Sequence, residues 1–168
     1  MDRTVGIVLV SVFLFVGAGF AENETRVDAV TRASWRPLTA DEIISPEELR
    51  ALQIAGKDLL IFDARDKESY DKRHIEGAFL PWTADFYERT RLFKLKLIDQ
   101  APDTDAELEK ATRHYPRDLA LVTYCNRGCK ASAALLLRLK KLGFVNVRDM
   151  EDGIQTWEEK GYPVAGTG

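Results

Sequence analysis

The chain has 168 residues, 45% of them hydrophobic and 30% charged, with a formal net charge of -3 at neutral pH. That is enough apolar chain for one globular domain with a proper core. The mild acidity argues against nucleic acid or an anionic membrane as a partner, and neither histidine stands at ligand spacing from another metal donor.

Residues 1–21 read as a secretory signal peptide. Arg3 gives a weakly positive start, 5–20 is apolar and uncharged, and Gly19 and Ala21 are small residues at the positions a signal peptidase reads. The apolar run is short beside the roughly 20 residues of a membrane span. Cleavage after Ala21 sends 22–168 to an oxidising compartment, the periplasm if the source is bacterial, with no stable membrane insertion. An uncleaved N-terminal anchor is the alternative. Residues 22–40 are polar and without period and read as an extended arm, with Trp35 placed to pin it to a domain at 41–168.

Ser45-Pro46-Glu47-Glu48 is a helix start, with serine as cap and proline in the first turn, and Gly56 ends that helix. Residues 59–62 form a buried strand with Asp63 at its carboxyl end, 66–72 a short polar helix, and 78–80 a strand stopped by Pro81. The stretch 83–117 reads as a helical insert: an amphipathic helix over 84–98, a turn at Pro102-Asp103, and a second helix capped by Thr104 and running through His114. Its basic residues read as a solvated face. After a buried strand at 119–124 comes a tight loop, Cys125–Lys130, then an Ala- and Leu-rich helix over 131–142 with Gly143 as its C-cap. A strand at 145–148 and a helix at 153–160, with Trp157 facing the core, complete the chain. Strands alternate with helices throughout, so the fold class is α/β, a parallel sheet with helices on both faces.

The loop carries the chemistry. Cys125 leaves the carboxyl end of a buried strand, the edge at which open α/β sheets bind ligands. A helix N-terminus follows, which favours anions. Gly128 permits a positive φ, so that backbone amides can converge into a nest. Arg127 and Lys130 add positive charge. Each effect favours a thiolate, so Cys125 reads as a nucleophile in an anion cradle; the competing reading is a buried structural cysteine that happens to end a strand.

Three blocks give the chain a resemblance to the rhodanese family of single-domain sulfurtransferases. They are Asp63-Ala64-Arg65 with Tyr70 and His74-Ile75-Glu76-Gly77-Ala78; Tyr124-Cys125-Asn126-Arg127-Gly128-Cys129-Lys130; and a tail of Leu142-Gly143-Phe144, Asn146-Val147, Met150-Glu151-Asp152-Gly153, Trp157 and Gly161-Tyr162-Pro163-Val164. Together they span 45–164 in the family's order. Arg73 and Asp152 stand where the family usually has glycine, Lys130 replaces the loop arginine, the stretch from Ala78 to Pro81 is one residue short, and the interval from Pro81 to Cys125 is longer than usual by about twenty residues.

The resemblance implies a rhodanese-like sheet and a sulfurtransferase that needs no metal or organic cofactor. A Cys125 thiolate would take the outer sulfur of a small anionic donor such as thiosulfate and pass it, as a persulfide, to a thiol, cyanide or protein acceptor. Cys125 would be catalytic; Asn126, Arg127, Gly128, Cys129, Lys130 and Arg65 would contact substrate; Asp63 and His74 would support the site. Three other readings stand beside it. A dual-specificity phosphatase would carry an arginine six positions after its cysteine, where this chain has Ala131. A thiol redox protein would pair Cys125 with Cys129, although a loop wound around Cys125 is expected to aim Cys129 outward. A sulfur carrier would dock its protein partner on 83–117.

Overall fold

The computed structural model describes residues 36–168. The expected signal segment 1–21, Trp35 and the arm up to it lie outside the described residues. A 3-10 turn, Ala40–Glu42, leads into helix α1 (Pro46–Ile54), whose Ser45 cap accepts the Glu48 amide at 3.1 Å as the capping pattern requires. Strand β1 (Leu59–Asp63), helix α2 (Lys67–Lys72) and the two-residue strands β2 (His74–Ile75) and β3 (Ala78–Phe79) follow. Next come a pair of helices, α3 (Ala84–Lys94) and α4 (Thr104–Thr112), strand β4 (Ala120–Tyr124) and helix α5 (Ala131–Lys141). Strand β5 (Val147–Met150), helix α6 (Gly153–Glu159) and strand β6 (Val164–Ala165) close the chain.

The main sheet has the order β3-β1-β4-β5, every neighbouring pair parallel. Both of its faces are covered, which is why β1 and β4 are nearly continuous apolar runs rather than alternating ones. On one face Ile61, Val122, Tyr124 and Met150 meet Leu49 of α1 and Ile154 and Trp157 of α6. On the other, Phe62, Leu121 and Val147 meet Leu108 of α4 and Leu135, Leu136 and Leu139 of α5. Each such fully buried Leu or Ile contributes roughly 1.5–3 kcal/mol of transfer free energy. The fold is thus α/β, a parallel sheet with helices on both faces.

Several boundaries differ from the sequence reading, each for a local reason. The strand expected at 145–148 sits two residues later, because its register against β4 pairs Leu121 with Val147 and leaves Val145 73% exposed. The helix expected to reach 98 ends at Lys94. Lys96 takes φ +57, and the amides of Lys96 and Leu97 return to the carbonyls of Phe93 and Leu92, each at 2.9 Å. That is a Schellman closure with lysine in the place usually held by glycine. Asp103, not Thr104, caps α4: its Oδ1 accepts the amides of Asp105 and Ala106 at 3.0 and 3.1 Å. The short antiparallel pair of β2 with β6 had no sequence signal; it joins His74 to Ala165 and Ile75 to Val164.

Candidate active site

β4 ends at Tyr124 and α5 begins at Ala131, so Cys125 and its loop lie at the carboxyl edge of the sheet, beside the end of β1, where Asp63 pairs in register with Tyr124. Cys125 is 3% exposed. The loop turns sharply: the Cys129 amide donates to the Asn126 carbonyl at 3.0 Å, and Gly128 takes φ +74. Among the described residues the amides of Gly128 and Lys130 find no protein acceptor, which leaves donors at the loop for an anion, next to the unsatisfied first turn of α5.

Helix α6 holds the loop from outside. The Ile154 amide donates to the Cys125 carbonyl at 3.0 Å. Gln155 clamps two loop residues: its Oε1 accepts the Arg127 amide at 2.8 Å, and its Nε2 donates to Asn126 Oδ1 at 2.9 Å. Gly153 makes the close approach possible. It takes φ +71, and a Cβ there would stand 2.2 Å from the Arg127 nitrogen and 2.6 Å from the Asn126 carbonyl carbon. Gly153 stood in the tail motif; Gln155 belongs to no motif, and nothing in the sequence pointed to it.

A buried charge network lies under the loop. Asp63, with no exposed surface, accepts the Arg65 amide at 2.9 Å, Arg65 Nε at 3.0 Å, Arg65 Nη2 at 2.6 Å and the Tyr124 hydroxyl at 2.6 Å. The Tyr124 hydroxyl in turn accepts the Ile75 amide at 3.1 Å. Arg65 also donates to the Arg73 carbonyl, and its side chain is 8% exposed. The expectation that Arg65 contacts substrate is therefore corrected: its guanidinium is spent on Asp63 and on the backbone. His74 has its Nδ1 2.8 Å from the Tyr70 carbonyl, and its ring stacks on Tyr70 with centroids 3.9 Å apart. Asp63 thus reaches the loop's strand through Tyr124, while the His74 ring contacts Tyr70.

The two loop cations part company. Arg127 was expected to face the cradle; its Nη2 instead binds Thr156 Oγ1 at 2.8 Å and Glu159 at 2.5 Å, so the side chain lies along α6. Lys130 is exposed and, among the described residues, makes no ion pair. The expectation of a ready thiolate is also corrected. Burial pushes the Cys125 thiol up to about 12, the neighbouring Cys129 raises it further, and the Asn126 amide opposes them. Desolvation outweighs the loop's donors while no anion occupies the cradle. Cys129, partly exposed, has its Sγ 3.4 Å from the Ala131 amide, which donates to it. Nearby, Asp149 is buried on β5 and accepts the Thr123 hydroxyl at 2.8 Å; burial raises its carboxyl to about 6, against the help of Thr123 and Ser132.

Among the described residues no group of three or more His, Cys, Asp or Glu side chains could hold a metal ion. A depression of about 530 Å³ lies at the opposite, amino edge of the sheet, lined by Leu59, Ala120 and Asn146, away from Cys125.

A family model described as Rhodanese-like domain matches residues 45–160. The chain belongs to the rhodanese-like domain family. Over 120 residues this rhodanese-like domain is 29% identical to a protein named probable adenylyltransferase/sulfurtransferase MoeZ from Mycobacterium tuberculosis, covering 71% of this chain and 25% of that protein. It is 32% identical over 120 residues to a tRNA uridine(34) hydroxylase of Aster yellows witches'-broom phytoplasma, covering 70% of this chain and 33% of that one. The chain thus spans between a quarter and a third of the length of these relatives. Among solved structures it resembles the BH2092 protein of Bacillus halodurans, with a TM-score of 0.54 at 19% identity over 87% of each chain. It also resembles the rhodanese-like domain of the Alr3790 protein from Anabaena, with a TM-score of 0.54 at 20% identity over 74% of this chain and 79% of that one. These two structures speak to the fold alone. The departures from the family motif fit the geometry. Arg73 has φ -164, an extended backbone open to any residue, and Asp152 has φ -60.

Proposed function

We propose that the protein is a sulfurtransferase that carries a sulfane sulfur on Cys125. The observation that carries this reading is the placement of Cys125: a buried thiol at the carboxyl edge of a parallel sheet, in a six-residue loop with free amides, against a helix N-terminus. The sulfurtransferase name of one relative supports it.

The Cys125 thiolate attacks the outer sulfur of thiosulfate, the S–S bond of the donor breaks, and sulfite leaves with the electron pair. Cys125 is then a persulfide anion. The charge moves from a buried sulfur to an outer one that reaches the loop amides, which favour it. An acceptor nucleophile, a thiol or cyanide, attacks that outer sulfur, and the Cys125 thiolate returns. Lys130 draws the dianionic donor toward the loop. Arg127 acts at one remove, by fastening the loop to α6. Because Cys125 is protonated in the resting site, the loading rate rises about tenfold per pH unit through neutrality.

The export pattern of residues 1–21 supports a reaction outside the cytosol, and the mass of the protein recovered from secreting cells, intact or cut after Ala21, tests that part. The activity is tested with the reduced protein, thiosulfate and excess cyanide. The expected result is sulfite and thiocyanate in equal amounts, with both lost in Cys125→Ser. Turnover that survives Cys125→Ser sinks the reading.

A further inference from the structure

The second cysteine of the loop is not explained by the transfer just described. Cys129 follows Cys125 by four residues, and the turn that reverses the chain, with the Cys129 amide on the Asn126 carbonyl and Gly128 at φ +74, folds the loop back on itself so that both cysteines share one tight turn. Both thiols belong to this one six-residue turn, and Cys129 is among the groups that raise the Cys125 thiol. Cys129 Sγ is held there by the Ala131 amide at 3.4 Å, from the first residue of α5. Both cysteines are free, Cys125 buried and Cys129 partly exposed. A thiol next to a persulfide-forming sulfur, fixed by a backbone donor, is placed for thiol–disulfide chemistry.

We propose that Cys129 resolves the Cys125 persulfide, so that the protein reduces a sulfane sulfur to hydrosulfide. This rests on the sulfurtransferase reading above and extends it. Cys129 Sγ attacks Cys125 Sγ, the inner sulfur of the persulfide. A bond forms between the two cysteine sulfurs, the Cys125 Sγ–outer sulfur bond breaks, and the outer sulfur leaves with the bonding pair. The proton of the Cys129 thiol leaves with it as hydrosulfide. The two cysteine sulfurs are oxidised to a disulfide and the sulfane sulfur is reduced, so the step needs no outside oxidant. An external dithiol reductant then returns the disulfide to two thiols. Attack on the inner sulfur is the route that gives a disulfide: Cys129 shares the turn with Cys125, whereas the outer sulfur extends toward the free loop amides. An external acceptor that reaches the outer sulfur first diverts it to transfer, so the acceptor concentration sets the balance between sulfur transfer and sulfide release.

The test uses the mature protein and Cys129→Ser, reduced, freed of reductant without air and given one equivalent of thiosulfate with no acceptor. The expected wild-type result is one sulfite and one sulfide per chain and a mass about 2 Da below the dithiol form; Cys129→Ser is expected to release sulfite, hold its sulfur as a gain of about 32 Da and yield at least roughly tenfold more cyanide-labile sulfur. A wild-type protein that releases sulfite, keeps the gain in mass and frees no sulfide overturns the inference while leaving sulfur transfer intact. A wild-type protein that releases no sulfite overturns the sulfurtransferase reading, and this inference with it. The wild-type measurement is decisive alone, so a Cys129→Ser protein that loads poorly does not alter the outcome.

Discussion

Asp63→Ala removes the acceptor at the centre of the network beneath the loop. Asp63 is fully buried and Arg65 is 8% exposed, so the substitution leaves a guanidinium in the interior with only the Arg73 carbonyl. It also strips the partner from the Tyr124 hydroxyl. Breaking a buried pair in this way costs about 3–5 kcal/mol, because the remaining charge stays desolvated and unpaired. For a folded unit of this size that corresponds to a fall in Tm of roughly 10–20 °C. The companion variant Asp63→Ala/Arg65→Met takes out both charges and refills part of the volume, and it is expected to recover more than half of the loss. Chemical denaturation of the wild type, both single variants and the double variant closes the cycle. An Asp63→Ala cost below about 1 kcal/mol, or a double variant no better than the single, refutes the claim that Arg65 is spent on Asp63.

Gly153→Ala would force a Cβ against the Arg127 amide at a φ of +71. The left-handed backbone alone costs about 1–2 kcal/mol, and relief of the contact must move the loop, so sulfite release is expected to fall more than roughly tenfold with the far-UV spectrum unchanged; an unchanged loading rate would be contrary. Asp149 ties its titration to stability. Its folded value, about 6, lies above the ordinary 3.8. The folded chain therefore holds the proton more tightly, and the stability this contributes is full below about pH 4 and lost as pH rises through about 6, an interval worth about 3 kcal/mol. Asp149→Asn keeps the shape without the charge and should flatten that slope and be the more stable protein at pH 8; parallel pH profiles would refute the assignment. Lys130→Ala is expected to raise the KM for thiosulfate roughly two- to fivefold at low ionic strength, and the difference should vanish in high salt; an effect that persists in salt would mean a direct contact instead of attraction at a distance.

Local order in the chain was enough for much of this fold. The apolar runs ending at Asp63 and Tyr124, the Ser45 cap, and the helix after Lys130 follow from burial, capping and periodicity, which act within a few residues. The same holds for the position of Cys125, since a buried strand followed by a glycine-containing loop and a helix has few ways to run. Boundaries slipped where tertiary contacts chose the register, as at Val147, or where a non-glycine residue accepted a left-handed turn, as at Lys96.

The directions of the site's side chains were decided only by the folded structure. Arg127 and Lys130 look alike as loop cations, yet Glu159 and Thr156, roughly thirty residues downstream, draw one of them away. Arg65 looked available to an anion until β1 buried it against Asp63. Cys125 looked like a thiolate from its neighbours in sequence, but its thiol is raised by burial, which is a property of the folded chain. The contact of Cys129 Sγ with the Ala131 amide was likewise beyond the spacing of two cysteines. Sequence determines which groups stand near one another along a turn of chain; burial and long-range partners determine which of them face the same space, because both are properties of segments that meet only on folding.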